Sequence, residues 1–214
     1  MKSVFMSDQY PCFCRALRQM GYEIIPSENI EAFPVPERKH ADMQLLHIQD
    51  AVFTIEDCIR RPGNKYPSNV LLNCLYLGGK LYGKTSANDP AVLDHCVQHQ
   101  IPVVPVNQGY SRCSALIIGE NAVVTADSSI AKALENNGAE VLRISPGYIL
   151  LEGYDYGFIG GSGFSDGNTV FFFGDIRRHP DYEAIRRFCD TYHKSIHILC
   201  KERPLTDIGG AVVI

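Results

Sequence analysis

The sequence predicts an α+β fold in which five ββαβ modules form a pseudo-fivefold ring, an α/β propeller. The first observation is a recurring pair of apolar runs around a short turn, which is typical of β-hairpins. The pair is clearest where residues 115–118 and 122–125 flank a turn at Gly119-Glu120-Asn121. The second observation is a helix-plus-strand pattern after every hairpin except the first. A repeat of this length is typical of closed or stacked arrays.

Four of the predicted hairpins follow one another along the chain. They pair 43–48 with 52–55, 66–77 with 80–82, 115–118 with 122–125, and 148–164 with 169–173. The predicted connecting helices are 90–98, 128–137 and about 181–192, each followed by a strand, at 101–106, 140–144 and 195–200.

The fifth module is predicted to combine the two ends of the chain. Residues 204–214 supply one hairpin strand and residues 2–6 supply the other. A helix capped by Asp8 and a strand at 22–25 would complete this module. Pairing of the terminal strands would close the ring and remove the exposed edges of an open array.

Length and composition indicate one ordinary globular domain, 1–214. The chain has 214 residues, of which 45% are hydrophobic and 21% charged, with a net charge of -4. This charge gives no reason to expect a nucleic-acid or anionic-membrane partner. The sequence has no apolar run of the roughly 18 residues that a membrane span needs. Its first residues lack the pattern of a secretory signal.

The eight cysteines predict free thiols in a reduced, cytoplasmic protein. Most of them stand at scattered positions beside apolar residues, as buried free cysteines do. Cys12 and Cys14 form a CxC pair without a second pair at zinc-finger spacing, so we expect no structural zinc site. We also expect no cofactor. The sequence leaves open whether the chain forms homo-oligomers.

Polar residues recur in the loops that precede the hairpins. Because a ring places equivalent loops at one end of its channel, we predict that these residues surround one cavity. The loops contain Lys39-His40-Ala41-Asp42, Ser68-Asn69 with Asn73, Tyr110-Ser111-Arg112-Cys113, Glu152 with Asp155, and Thr206-Asp207.

These residue types favour nucleophilic chemistry on a cation. A cysteine nucleophile needs a lowered thiol pKa, which Arg112 or a nearby imidazolium can supply. His40 is a natural proton carrier near neutral pH, and carboxylates can bind a planar cation through paired hydrogen bonds. Ordinary interpretations remain open: Asp42 and Asp207 as turn caps, His40 as a surface residue, and Cys113 as a half-buried strand cysteine. The nucleophile hypothesis predicts a partly exposed Cys113 with a lowered pKa and seven buried, inert cysteines.

Several phrases of the sequence resemble a known superfamily over nearly the whole chain. With the five-module pattern, they are similar to the pentein, or guanidine-modifying, superfamily. This group includes arginine deiminases, dimethylarginine dimethylaminohydrolases, amidinotransferases and non-catalytic ribosome anti-association factors. Within it, the phrases look most like an uncharacterised bacterial domain family of that fold. They are HADMQLL, QGYSRCS, YGFIGG, HPD and PLTDIGG.

The resemblance implies roles for individual residues. Catalytic members combine an acidic residue, a histidine in a His-x-Asp/Glu context and a cysteine two modules beyond the histidine. The implied catalytic residues are Cys113 as nucleophile, His40 as proton carrier and Asp207 as the acidic partner, with Asp42 holding the guanidinium. Here the cysteine is central in the chain instead of C-terminal, so the match requires a circularly shifted order. The other predicted substrate contacts are Asn73, Tyr110, Arg112, Glu152 and Asp155.

Two functional hypotheses follow. The first is a cysteine-dependent hydrolase or transferase acting on a small guanidino or amidino compound at the central channel. It implies a small cationic partner and needs neither a metal nor another cofactor. The second is a non-catalytic pentein-fold protein whose channel residues are structural or bind a small ligand.

Overall fold

The computed structural model describes residues 2–214, and its fold is mixed α+β, with four α-helices and five small sheets. None of the helices in this range has the length and apolar character that crossing a membrane requires. The helices are α1 (Pro11–Gln19), α2 (Pro90–Gln98), α3 (Ser128–Asn136) and α4 (Tyr182–Thr191).

The strands are short and most lie close to their predicted positions. They are β1 (Ser3–Met6), β2 (Glu23–Pro26), β3 (Leu45–Ile48), β4 (Ala51–Thr54), β5 (Leu75–Leu77), β6 (Lys80–Gly83), β7 (Val103–Pro105), β8 (Ala115–Gly119), β9 (Ala122–Thr125), β10 (Glu140–Arg143), β11 (Gly163–Asp166), β12 (Thr169–Asp175), β13 (Ser195–Pro204) and β14 (Ala211–Val213).

Four sheets share one connectivity. In each, an antiparallel pair is followed by an α-helix and a third strand that pairs in parallel with the second. Their orders are β5-β6-β7, β8-β9-β10, β11-β12-β13 and β14-β1-β2. The remaining sheet contains only β3 and β4 and is followed by a short 3-10 turn, Ile55–Asp57. A helix-plus-strand connection therefore follows every hairpin except the first, as predicted.

The two ends of the chain lie side by side. Strand β1 pairs antiparallel with β14, with Val4 opposite Val213 and Phe5 opposite Val212. This pairing confirms the predicted contact between the terminal strands. It also brings the segment before β14, which contains Asp207, next to the residues that follow β2.

Helix starts show where local sequence signals hold and where they fail. The Asp89 side chain accepts the Ala91 N–H at the start of α2, with proline in the first turn, and Asp127 caps α3 in the same manner. The predicted Asp8 cap is wrong, because α1 begins at Pro11 and has no side-chain cap. Asp8 instead forms an ion pair with Lys39.

Two apolar clusters of the core lie on opposite faces of strand β12. Phe172 packs with Val170 and Ile185 in one apolar cluster, whereas Phe171 and Phe173 pack in another cluster, beside helix α1. This alternation is the period of a strand covered on both faces. Burying each of these side chains contributes roughly 2–3 kcal/mol, so the phenylalanine run is structural.

Candidate active site

A cavity of about 420 Å³ lies where several pre-hairpin loops meet. Five of the predicted site residues line it: His40, Tyr110, Cys113, Asp155 and Asp207. The volume is within the usual range of small-molecule sites. Loops of different modules therefore contribute to one cavity, but some of the predicted site residues do not line it.

Cys113 is held at the floor of the cavity by Asn73. The Asn73 amide nitrogen donates to the Cys113 sulfur at 3.0 Å, and its carbonyl oxygen accepts the backbone N–H groups of Arg112 at 2.9 Å and Cys113 at 3.2 Å. Asn73 is fully buried. It fixes both the sulfur and the backbone of the loop that leads into β8.

His40 lies beside the cysteine and is packed against the segment before β14. A ring nitrogen of His40, a carboxylate oxygen of Asp42 and the Cys113 sulfur all lie within 4.8 Å of one another. Gly209 adopts a φ of +79°, and a Cβ there would approach the His40 Cα to 2.3 Å. Only glycine allows this contact, because both the backbone angle and the space exclude a side chain. These three donor types are also ones that Zn²⁺ accepts.

Asp207 is a buried carboxylate that backbone amides hold in place. Its two oxygens accept the N–H groups of Phe158 at 2.8 Å and Gly209 at 2.9 Å. A Cβ at Gly161 would lie 2.0 Å from an Asp207 oxygen. The glycines of the 157–161 segment therefore let the backbone approach this carboxylate closely. Burial is the main cause that raises the Asp207 pKa, and the nearby His40 opposes the rise.

Asp42 is equally buried but lacks such support. Neither of its oxygens has a hydrogen-bond partner among residues 2–214. Burial is the main cause that raises its pKa from 3.8 to about 7, while His40 and Arg112 favour the charged form. Together with Arg112, Asp42 lines a second pocket of about 330 Å³ instead of the main cavity.

The prediction of a partly exposed, acidic thiol at Cys113 is wrong for this state of the protein. Cys113 is only 2% exposed, and burial raises its pKa well above 9.0, with further contributions from the charges of Asp42 and Asp207. Three other cysteines are more accessible, namely Cys12, Cys58 and Cys200. All eight are free thiols.

The remaining predicted residues are divided among other places. Asn73 lies beneath the cysteine and outside the cavity lining. Arg112 lines the second pocket and donates to the Ala115 carbonyl at 3.1 Å. Glu152 is exposed at a neighbouring opening that also reaches His40 and Asp207. Asp42 and Asn73 do not line the main cavity, contrary to the prediction. An Asp42 oxygen nevertheless lies within 4.8 Å of the Cys113 sulfur and of a His40 ring nitrogen, and both of those residues line the cavity.

Sequence reasoning missed several residues of the cavity wall, among them the buried carboxylate of Glu37. Glu37 is 3% exposed and accepts hydrogen bonds from Asn69 at 2.6 Å, from Tyr110 at 3.0 Å and from the Tyr154 hydroxyl. It follows a proline-rich stretch that reads as a connector, so the sequence carries little signal for it. The network joins three loops at the rim of the cavity.

The fold is similar to that of solved dimethylarginine dimethylaminohydrolases, which confirms the predicted resemblance at the level of fold. A dimethylarginine dimethylaminohydrolase from Pseudomonas aeruginosa, solved as a variant complexed with citrulline, is similar at a TM-score of 0.58 with 12% identity. Another structure of such an enzyme, a variant adduct with S-methyl-L-thiocitrulline, has a TM-score of 0.56 with 11% identity. Each alignment covers 100% of this chain and 99% of the other.

At the level of sequence the affiliation is narrower. Residues 5–212 match the model of DUF6873, described as a family of unknown function, and the chain belongs to that family. No curated protein matches the sequence.

Proposed function

We propose that this chain, as a single domain, is a cysteine-dependent hydrolase acting on a small guanidino or amidino compound. The observation that carries the proposal is the group formed by the Cys113 sulfur, a His40 ring nitrogen and an Asp42 oxygen within 4.8 Å. It lies at an acidic cavity in a pentein fold. A nucleophile, a proton carrier and a carboxylate are the three groups that attack on a guanidinium carbon requires.

In this proposal, a bound cation lowers the pKa of the Cys113 thiol. In the free protein, burial and two nearby carboxylates keep Cys113 protonated. A guanidinium bound beside the sulfur and these carboxylates offsets their negative charge and favours the thiolate. Asp42 is suited to this task, because both its oxygens lack hydrogen-bond partners among the described residues. Asp207 adds a second negative charge that backbone amides hold rigidly.

The proposed reaction proceeds through a covalent intermediate. The Cys113 thiol passes its proton to His40, and the resulting thiolate forms a carbon–sulfur bond to the central guanidinium carbon. The carbon–nitrogen bond to the leaving amine breaks as His40 donates that proton to the amine. Water then attacks the same carbon while His40 accepts its proton. Collapse breaks the carbon–sulfur bond, so guanidinium and water give a urea and an amine. An amine acceptor in place of water would make the protein a transferase.

The other predicted contacts take supporting roles in this proposal. Asn73 positions Cys113 and helps to stabilise its thiolate through the amide N–H. The positive charge of Arg112 favours the charged form of Asp42. Asp155 and Glu152 are exposed and Tyr110 lies deeper in the wall, where the three meet the part of the substrate that does not react.

The test is turnover of guanidino compounds by wild-type protein and two variants. Cys113→Ala should lower kcat by at least about 10⁴-fold, as the loss of a covalent nucleophile does. His40→Ala should lower it by roughly 10²–10⁴-fold. Cys58→Ala is the matched control, because this half-buried thiol lies outside the site. Turnover that survives Cys113→Ala would contradict the proposal.

A chelator control tests the expected absence of a metal cofactor. The donors of His40, Asp42 and Cys113 are close enough together to hold an ion. Activity unchanged by EDTA supports thiol chemistry, and activity lost with EDTA and restored by zinc contradicts it.

The alternative is a non-catalytic binding protein of the same fold. The burial and high pKa of Cys113 favour this alternative, since a resting thiol is a poor nucleophile. It predicts that guanidino compounds bind without being consumed and that Cys113→Ala leaves their affinity unchanged.

The finer architecture and setting belong to the same proposal. We expect the five sheets to form a closed pseudo-fivefold ring, with the paired strands β1 and β14 completing the closure. The free thiols suit a reduced, cytoplasmic environment.

A further inference from the structure

Charge is distributed unevenly around the main cavity. Four carboxylates line it, and none of its lining residues within the described chain is lysine or arginine. The carboxylates are those of Glu37, Asp127, Asp155 and Asp207. The adjoining opening adds Glu152 and again contains neither lysine nor arginine. A negative group inside this space would meet several like charges, and His40 is the one basic side chain among the described lining residues.

Arg112 does not offset this charge. It is the arginine next to the nucleophile in sequence, but it lines the second pocket and donates to the Ala115 carbonyl. The Cys113 loop therefore separates the positive group from the main cavity. A carboxylate on a substrate seated in the main cavity has no guanidinium in its wall to bind.

The wall also contains groups suited to a cation. Tyr154 and Tyr156 are half exposed at the mouth, at 45% and 46%, and Tyr110 and Phe158 lie deeper with rings 5.9 Å apart. Aromatic faces attract ammonium and guanidinium groups. Ser114 lines the cavity and is 2% exposed, and its buried hydroxyl has no hydrogen-bond partner in residues 2–214. An unpartnered buried hydroxyl in a cavity wall points to a polar ligand.

We infer that the substrate carries a second cationic group and no carboxylate, so that it is a guanidinoalkyl amine or its amidino counterpart and not a guanidino amino acid. This inference rests on the proposed function. The guanidinium lies at Cys113, and the distal ammonium lies toward Asp155 and the tyrosines at the mouth. The acidic wall excludes analogues that end in a carboxylate.

Four ligands of equal chain length test the inference: 4-guanidinobutylamine, butylguanidine, arginine and 4-guanidinobutyrate. Titration calorimetry with Cys113→Ala protein measures binding without turnover, and kcat/KM of the wild type provides a second ranking. We expect 4-guanidinobutylamine to bind most tightly, butylguanidine less tightly and 4-guanidinobutyrate most weakly. The affinities of 4-guanidinobutylamine and 4-guanidinobutyrate should differ by at least about tenfold at low salt, and by less at 0.5 M salt.

A charge reversal locates the effect. Asp155 is exposed at the mouth and has no role in helix capping, so Asp155→Lys should narrow the gap between 4-guanidinobutylamine and 4-guanidinobutyrate several-fold. Asp50→Lys is the matched control, because this exposed turn aspartate lies away from the cavity. It should leave the gap unchanged.

The outcomes separate the two proposals. If arginine or 4-guanidinobutyrate is bound and consumed at least as well as 4-guanidinobutylamine, the substrate inference is wrong and the proposed function stands. If the diamine is preferred but Asp155→Lys acts no more than Asp50→Lys, the placement of the distal ammonium is wrong. If none of the four is bound or consumed, both proposals fall.

Discussion

Asp207 and Asp42 are two buried carboxylates near the same histidine, yet the protein treats them differently. Asp207 receives backbone N–H groups from Phe158 and Gly209 on its two oxygens. Asp42 has no hydrogen-bond partner on either oxygen within the described chain. A buried carboxylate without partners is costly when charged. The comparison indicates that the backbone holds Asp207 in place, whereas the oxygens of Asp42 accept no hydrogen bond from the described residues.

The largest effect is expected in the pH dependence of stability. The pKa of Asp42 rises from 3.8 to about 7 on folding. The folded state therefore binds this proton more tightly, and the stabilisation is fully present below pH 3.8 and lost as the pH rises through about 7. The loss is on the order of 4 kcal/mol. Asp42→Asn should flatten the profile of unfolding free energy between pH 4 and 8 and should stabilise the protein at pH 8.

The neighbours of Asp42 set the controls for this measurement. His40, Asp207, Cys113 and Arg112 all contribute to its electrostatic environment. His40→Ala should steepen the loss of unfolding free energy near neutral pH, because the His40 imidazole favours the charged form of Asp42. Asp50→Asn, in an exposed turn, should leave the profile unchanged. If Asp42→Asn leaves the slope of unfolding free energy against pH unchanged, the distinction between Asp42 and Asp207 is wrong.

A smaller effect is expected from Asp207→Asn. The asparagine oxygen can still accept one backbone N–H, but its NH₂ group would face the other donor. The cost should be about 1–3 kcal/mol of unfolding free energy, as for an unsatisfied buried donor. Chemical denaturation at pH 7 measures it, with Asp42→Asn as the matched comparison. Equal destabilisation by the two substitutions would show that the backbone amides do not distinguish these sites.

The smallest effect concerns the order in which the thiols react. Cys12 is half-buried, whereas Cys113 is buried with a raised pKa, so iodoacetamide at pH 7.5 should modify Cys12 several-fold faster. Peptide mapping by mass spectrometry at early times gives the two rates. Faster labelling of Cys113 would mean that its thiolate is stabilised even without a ligand, in conflict with its burial and with the two carboxylates beside it.

Much of the fold could be predicted because its signals are local. The turn at Gly119-Glu120-Asn121 and the runs on either side define β8 and β9, and Asp89 with Pro90 marks the start of α2. The predicted cap of α1 is wrong because a distant contact competes with the local signal. Asp8 has the chemistry of a cap, but the helix begins at Pro11 and the Asp8 carboxylate pairs with Lys39.

The site could be predicted only as a set of residues and not as a geometry. Sequence brought His40, Cys113 and Asp207 together through the module order, and the structure places all three at one cavity. It could not indicate that Cys113 is buried, because its polar neighbours suggest an exposed loop. Nor could it separate Asp42 from Asp207 or find Glu37, since hydrogen bonds from remote loops decide their roles.

The contact between Gly209 and His40 also bears on how the protein matures. His40 is synthesised early and Cys113 midway, whereas Asp207 and Gly209 come late. Cys113 and His40 therefore exist on the growing chain well before Asp207 and Gly209, which complete their surroundings. Contacts of such long sequence separation form slowly. The chemistry proposed above therefore requires the segment around Gly209 to dock against the residues around His40.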